Sequence, residues 1–263
     1  MDEKKRIIVL LSIVAAVILL IIGGSIYESH KSNSYLDDFY SAFNGSENKL
    51  VMIGRDNCSW CQLFKPVLDS MHEEYGFDYL YINTNELTSS VFSKLLKTIG
   101  VAEDNFGTPL TIVVKNGEVV DSINGYVDDQ DLFEFLKKYE FISKDAKLAL
   151  NYVDYNGYKS VVRSSENKIL VLGQTTCSHC IKVKPILSSI AKEYGITINY
   201  LDITKLSDEE KEKFTKYLTY LNDTEWGTPL TLIVKNSEVI DSVNGELDYD
   251  GYVELFKNNG FIK

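Results

Sequence analysis

The first hydrophobic feature of the chain has no period at all. From Ile7 to Tyr27 only Ser12 and Ser25 interrupt an apolar run, IIVLLSIVAAVILLIIGGSIY, and about 20 such residues in a helix cross the roughly 30 Å of hydrocarbon in a bilayer. A soluble core helix seldom stays apolar all round for this length, so the run is predicted to span a membrane. Lys4, Lys5 and Arg6 precede it, while Glu28, Asp37 and Asp38 follow. The positive-inside bias then puts the N-terminus in the cytoplasm and everything after Tyr27 outside. A cleaved signal peptide is the rival reading. The run is long for that class and its one small-residue exit is Gly23-Gly24-Ser25, so a retained anchor is expected.

Beyond the anchor the pattern switches between strand and helix periods. Lys49 to Ile53 is a short apolar run closed by Gly54, as in a buried strand. Leu63, Phe64, Val67, Leu68, Met71 and Tyr75 then recur at helical spacing, and Gly76 ends that helix. Phe77 to Ile82 reads as a second strand and Ser89 to Ile99 as a second helix. After Pro109, two alternating runs flank Asn116-Gly117, a strong hairpin signal. Asp128 to Tyr139 closes the unit as an amphipathic helix. Tyr35 to Phe43 and Ala146 to Val162 also read as helical, the latter as a stiff linker.

The whole unit then recurs after about 119 residues. SENKLVMIG from Ser46 returns as SENKILVLG from Ser165, and GTPLTIVVKNGEVVDSING from Gly107 returns as GTPLTLIVKNSEVIDSVNG from Gly227. The predicted fold class is therefore α/β, with two tandem units of a mixed sheet covered by helices. The predicted divisions are 1–27 for the anchor, 28–142 for the first unit and 143–263 for the second.

Composition adds two exclusions and one focus. A net charge of −11 with no basic run beyond Lys4 to Arg6 leaves no surface for phosphates, so nucleic acid is set aside. The 44% apolar content is that of a globular protein and argues against disorder. All four cysteines, Cys58, Cys61, Cys177 and Cys180, and all four prolines, Pro66, Pro109, Pro185 and Pro229, stand at matched repeat positions. Two rare residue types confined to matched positions mark what the unit needs.

Each cysteine pair has CxxC spacing at a predicted helix start. Residues three apart on a helix share a face, so each pair can close as a disulfide on itself. The unpaired amides and positive dipole end of a helix N-terminus stabilise a thiolate, which makes Cys58 and Cys177 the expected attacking residues. Cys61 and Cys180, one turn in, are the expected resolving ones. A zinc site would want the two pairs about 15 to 20 residues apart and a completed set of four ligands. No metal and no cofactor are therefore expected. A structural disulfide stays open, although a four-residue loop restrains an unfolded chain little.

At these residues the chain resembles the thioredoxin-fold proteins. Within them IGRDNCSWCQLFKP, the YLYINTN strand and GTPLTIVVKNG make the first unit similar to the bacteriocin-transport accessory proteins, thiol-disulfide oxidoreductases of Gram-positive bacteria. The wider resemblance covers residues 35 to 263. It implies that Pro109 and Pro229 are cis and stand beside the dithiols, with Thr108 and Thr228 offering backbone groups to an extended substrate segment. By position alone, each X-Pro at a strand start is equally compatible with a trans edge proline. Ser178-His179 resembles the Xaa-His of oxidising and isomerising members, in which the histidine stabilises the thiolate; a merely solvated His179 is the alternative. The second pair is thus expected to be the more oxidising. Trp60 lacks that charge and is expected to pack against bound peptide. Phe106 and Trp226 fit either the same groove or the core. Thioredoxin itself carries a buried aspartate on the strand before its dithiol, whereas KLVMI and KILVL carry no acid, which leaves proton handling in the second half-reaction open.

The expected protein is a membrane-anchored extracytoplasmic thiol-disulfide oxidoreductase or isomerase. Its expected partners are exported cysteine-containing polypeptides, disulfide-containing bacteriocins among them, together with a membrane redox partner. A non-catalytic accessory module for secretion, and an electron relay to extracellular reductases or peroxidases, are the competing readings. The absence of cysteine outside the two motifs suits an oxidising space, because the reactive sulfurs meet no wrong partner in their own chain.

Overall fold

Apolar runs too short for helices, each closed by a glycine, become the central strands. The computed structural model describes residues 3–263, with the side chains of residues 3–12 and 25–35 outside the description. After Ser143 the chain divides into two compact units.

The first unit begins with α1 (Glu3–Asn44). Leu36, Phe39 and Phe43, three and four residues apart, are buried against the sheet, which accounts for the helical pattern read over Tyr35 to Phe43. β1 (Lys49–Gly54), α2 (Ser59–Tyr75), β2 (Tyr79–Asn83), α3 (Ser89–Ile99), β3 (Leu110–Lys115), β4 (Glu118–Asn124) and α4 (Asp129–Lys138) follow. β1 pairs parallel with β2 and antiparallel with β3, so the sheet order is β2-β1-β3-β4. Val51 and Ile53 face α1 and α3 in one core. The alternate residues Leu50 and Met52 point to the opposite face and are equally buried, as are Phe64 and Leu68 of α2 and Leu132 and Leu136 of α4. Asn116 and Gly117 both take positive φ, 52° and 77°, the primed turn that matches strand twist.

The anchor prediction concerns α1 as well. Among the described residues no helix is long and apolar enough to cross a membrane. Both ends of the run Ile7 to Tyr27 have side chains outside the described residues, so the predicted span lies partly outside them. Between those ends Ile13, Val14, Val17, Ile18, Leu19, Leu20, Ile21 and Ile22 are all exposed.

The second unit contains β5 (Asn151–Tyr152), α5 (Tyr155–Val162), β6 (Lys168–Gly173), α6 (Ser178–Tyr194), β7 (Ile198–Asp202), α7 (Asp208–Phe214), α8 (Tyr220–Asp223), β8 (Leu230–Lys235), β9 (Glu238–Asn244) and α9 (Tyr249–Asn258). Its sheet order is β5-β7-β6-β8-β9. Ile169 and Val171 face α6 and α9, while Leu170 and Leu172 face α5, α7 and α8. The predicted helix over Ala146 to Val162 is corrected here. Residues 146–148 are irregular chain leading into a bend at 149–150, and Asn151 and Tyr152 pair parallel with β7. A helix starts only where Asp154 accepts the Gly157 N–H at 2.7 Å. The physical reason is a switch of period: Leu150 is buried, Asn151 exposed and Tyr152 half-buried against the same core as Leu150, which is the alternation of an edge strand. A stiff helical linker is therefore absent.

Candidate redox-active sites

β1, a central strand, ends at Gly54, and the tight turn after it, in which the Cys58 N–H bonds the Arg55 carbonyl at 3.2 Å, sets Cys58 at the N-cap of α2. An N-cap side chain accepts from the first free amides of a helix. Here that acceptor is sulfur, and Cys58 Sγ takes the Cys61 N–H at 3.2 Å. On its other side the same thiol donates to the Thr108 carbonyl at 3.2 Å. Both Thr108-Pro109 and Thr228-Pro229 are cis, as the family resemblance implied. The second unit repeats the arrangement: Cys177 caps α6, accepts the Cys180 N–H at 3.2 Å and donates to the Thr228 carbonyl at 3.3 Å. All four cysteines are thiols in this structure.

The two sulfurs of the first pair differ in acidity in the direction read from the sequence. Burial works against the Cys58 thiolate, but hydrogen bonding from Cys61 and from the Thr108 side chain outweighs it and leaves the thiol below its ordinary range. Cys61 is only 3% exposed, and burial, then its contact with Cys58, pushes it up. In the second unit burial raises Cys180 to about 11.

The linkage signs follow. The Cys58 thiolate favours the reduced fold above the pKa of unfolded cysteine, and that contribution is lost as pH falls through the lower folded value. The reduced second unit loses stability as pH rises from the ordinary cysteine range through about 11. Alkylation of the reduced chain across pH, read by peptide mass, is expected to modify Cys58 with a midpoint below that of free cysteine. Cys61 and Cys180 are expected to be spared until well into the alkaline range. Equal labelling of Cys58 and Cys61 at neutral pH would remove the asymmetry.

The rims of the two sites differ in chemistry. Trp60 is 41% exposed, with its ring centroid 5.7 Å from that of Tyr126, which in turn meets Phe64 at 6.2 Å. Glu246 stands at the position matched to Tyr126. Its Oε2 bonds His179 Nδ1 at 3.0 Å, and its Oε1 lies 3.8 Å from Lys182 Nζ. The His179 hydrogen bond holds the Glu246 carboxyl below its usual range. His179 Nδ1 thus meets a carboxylate of the rim. Phe106 and Trp226 take the core alternative: Phe106 packs edge-on against Phe92, and Trp226 against Phe214 while its Nε1–H donates to the Leu221 carbonyl.

Sequence reasoning missed Tyr126, Glu246, Tyr81 and Tyr200. The tyrosines at 81 and 200 were marked by the repeat, since they occupy matched positions. Tyr126 and Glu246 were marked by the opposite signal, a change of class within an otherwise repeated NG–x–x–D segment.

No family model matches the chain. Over 99 residues the chain is 26% identical to a protein of Brevibacillus choshinensis named "Disulfide bond formation protein", covering 38% of this chain and 79% of that one. Among solved structures it is similar to a thioredoxin from Nicotiana alata, at 23% identity over 41% of this chain and 86% of that chain, with a TM-score of 0.33. It is also similar to a thioredoxin from Aeropyrum pernix at 17% identity, 41% and 85% coverage and a TM-score of 0.34. A third, the Malassezia sympodialis thioredoxin Mala s 13, gives 18% identity, 39% and 84% coverage and a TM-score of 0.31.

Proposed function

We propose that this chain is a thiol-disulfide oxidoreductase built from two thioredoxin-like domains, each with its own dithiol. The observation that carries the reading is one constellation present twice: an N-cap cysteine sulfur held between the amide of its CxxC partner and the carbonyl of a threonine that precedes a cis proline. The helix-start amide stabilises a thiolate, and the carbonyl lies beside the sulfur where an extended peptide would pair with the Thr108 or Thr228 backbone. The name of the Brevibacillus relative supports the same chemistry. In the reductive direction the Cys58 thiolate attacks a substrate disulfide, releases one substrate thiolate and leaves a mixed disulfide; Cys61 then attacks Cys58 and releases the other. Run backwards, the same steps oxidise a dithiol. Turnover of a disulfide-bonded test protein by the reduced chain, with a chemical reductant to regenerate it, tests the reading, and no rate above background overturns it.

The finer reading is a membrane-anchored protein whose two dithiols face outward and act on exported polypeptides, disulfide-containing bacteriocins among them. The exposed apolar side chains from Ile13 to Ile22 support an anchor, and the three basic residues before them support the orientation. The second site is read as the more oxidising because a histidine beside the thiolate would stabilise it, with Glu246 competing for His179. Glu246→Gln is expected to raise the reduction potential of the second site by no more than about 30 mV, because both partners of the ion pair are exposed. Equilibration with glutathione buffers, in chains that keep one dithiol at a time, measures this. A second-site potential at or below that of the first discards the ranking.

A further inference from the structure

The resolving cysteines carry the unsolved part of the chemistry. Cys61 and Cys180 are 3% and 0% exposed, yet each must become a thiolate to complete an exchange cycle. The groups that act most on Cys61 are Cys58, the Arg55 backbone and Thr108, and on Cys180 they are Cys177, the Gln174 backbone and Thr228. No carboxylate is among them. A charge forming on a buried sulfur needs a hydrogen-bond donor or it bears the full cost of desolvation.

In the first unit a donor stands at hand. Gly54 closes β1 without a side chain, and the place its Cβ would take lies 3.2 Å from Tyr81 Oη and 3.4 Å from Cys61 Sγ. Phenol and thiol therefore both lie against the same face of one glycine. Asp56, Cys61, Lys65 and Cys58 are the ionisable groups that face this phenol, and burial first, then Asp56 and Cys61, keeps it neutral above its ordinary range, so that it remains an O–H donor. In the second unit Gly173 holds the matched position, and a Cβ there would overlap the Tyr200 hydroxyl. Tyr200 is fully buried, with Lys184 Nζ 4.8 Å from its ring centroid. The other titratable groups near Cys180 are Cys177 and Tyr252 of α9.

We propose that Tyr81, and by its matched position Tyr200, donate their phenol hydrogens to the resolving sulfurs as those sulfurs ionise. The proposal rests on the exchange reading above. In the mixed disulfide, the Cys61 sulfur attacks Cys58 Sγ, the Cys58–Cys61 bond forms and the bond from Cys58 to the substrate sulfur breaks. The electron pair leaves on the substrate sulfur, and the proton given up by Cys61 ends there. The phenol keeps its own proton throughout, and no outside oxidant is needed.

Tyr81→Phe and Tyr200→Phe keep the rings and remove only the hydroxyls. Rapid acid quench of the full chain, reduced and mixed with a disulfide-bonded test peptide, reads the lifetime of the mixed disulfide. Each variant is expected to lengthen it at its own site about 10- to 100-fold and to move the pH midpoint of that step upward, while alkylation of Cys58 keeps its wild-type rate. An unchanged lifetime and midpoint overturn the proposal and leave the exchange reading intact, whereas a wild-type chain that forms no mixed disulfide overturns both. Should Tyr200→Phe fail to fold, a ring-fluorinated tyrosine at position 200, with a more acidic phenol, is expected to lower the midpoint. No shift there overturns the proposal equally.

Discussion

Serine at both Cys58 and Cys177 is expected to drop thiol-disulfide exchange to the uncatalysed background while both units stay folded. A hydroxyl at the N-cap still accepts the amide of residue 61 or 180, so capping survives. What disappears is the N-cap sulfur of each unit, the one that a helix-start amide stabilises as a thiolate. Cys61 cannot substitute, because it is buried and its thiol is pushed up, and Cys180 cannot, because its thiol is raised to about 11. The loss is therefore expected to be complete rather than partial. Cys58→Ser alone should leave the activity of the second site, and Cys177→Ser alone that of the first. Turnover of a disulfide-bonded test protein by each single and the double variant checks this. Substantial exchange by the double variant would mean that the buried thiols react and that the proposed division between attacking and resolving sulfurs is wrong.

Gly173→Ala is expected to destabilise the second unit by about 3 kcal/mol or more, toward the upper end of overpacking costs. The added Cβ would fall on the Tyr200 hydroxyl oxygen and ring Cζ, and Tyr200, fully buried among β6, β7 and α6, has no room to withdraw. Gly54→Ala, at the matched position, is expected to cost only about 1 kcal/mol. There the nearest atoms are Tyr81 Cε2 at 3.0 Å and Oη at 3.2 Å, and Tyr81 is half-buried and can shift. Urea denaturation followed by hydrogen exchange, resolved unit by unit, separates the two. Adding Tyr200→Leu to Gly173→Ala should cost less than the sum of the single changes, as expected for two groups competing for one space. If Gly173→Ala matched the wild type within 1 kcal/mol, the close approach of Tyr200 to this backbone would be wrong.

Much of each unit was legible because its causes are local. The run Lys49 to Ile53 is too short and too apolar for anything but a central strand, and it is found as β1; Ser89 to Ile99 keeps its helical period and is found as α3. Asn116-Gly117 makes its hairpin because both residues accept positive φ. The misreading over Ala146 to Val162 came from a segment whose state depends on a partner about 48 residues away: Asn151 and Tyr152 are strand only because β7 offers them an edge. Apolar residues alone do not distinguish that edge from a helix turn.

The site divides in the same way. That Cys58 and Cys177 sit at helix starts, each one turn before its partner, was determined by the sequence, because spacing and the helix boundary are both local. What the sulfurs face was decided only by the tertiary structure. The carbonyls of Thr108 and Thr228 reach them across 50 and 51 residues, Glu246 reaches His179 across 67, and Tyr81 and Tyr200 reach Gly54 and Gly173 from the neighbouring strands β2 and β7. A periodic pattern specifies which face of an element is buried, but the neighbour that covers it is chosen by strand order and register, and these are properties of the folded sheet.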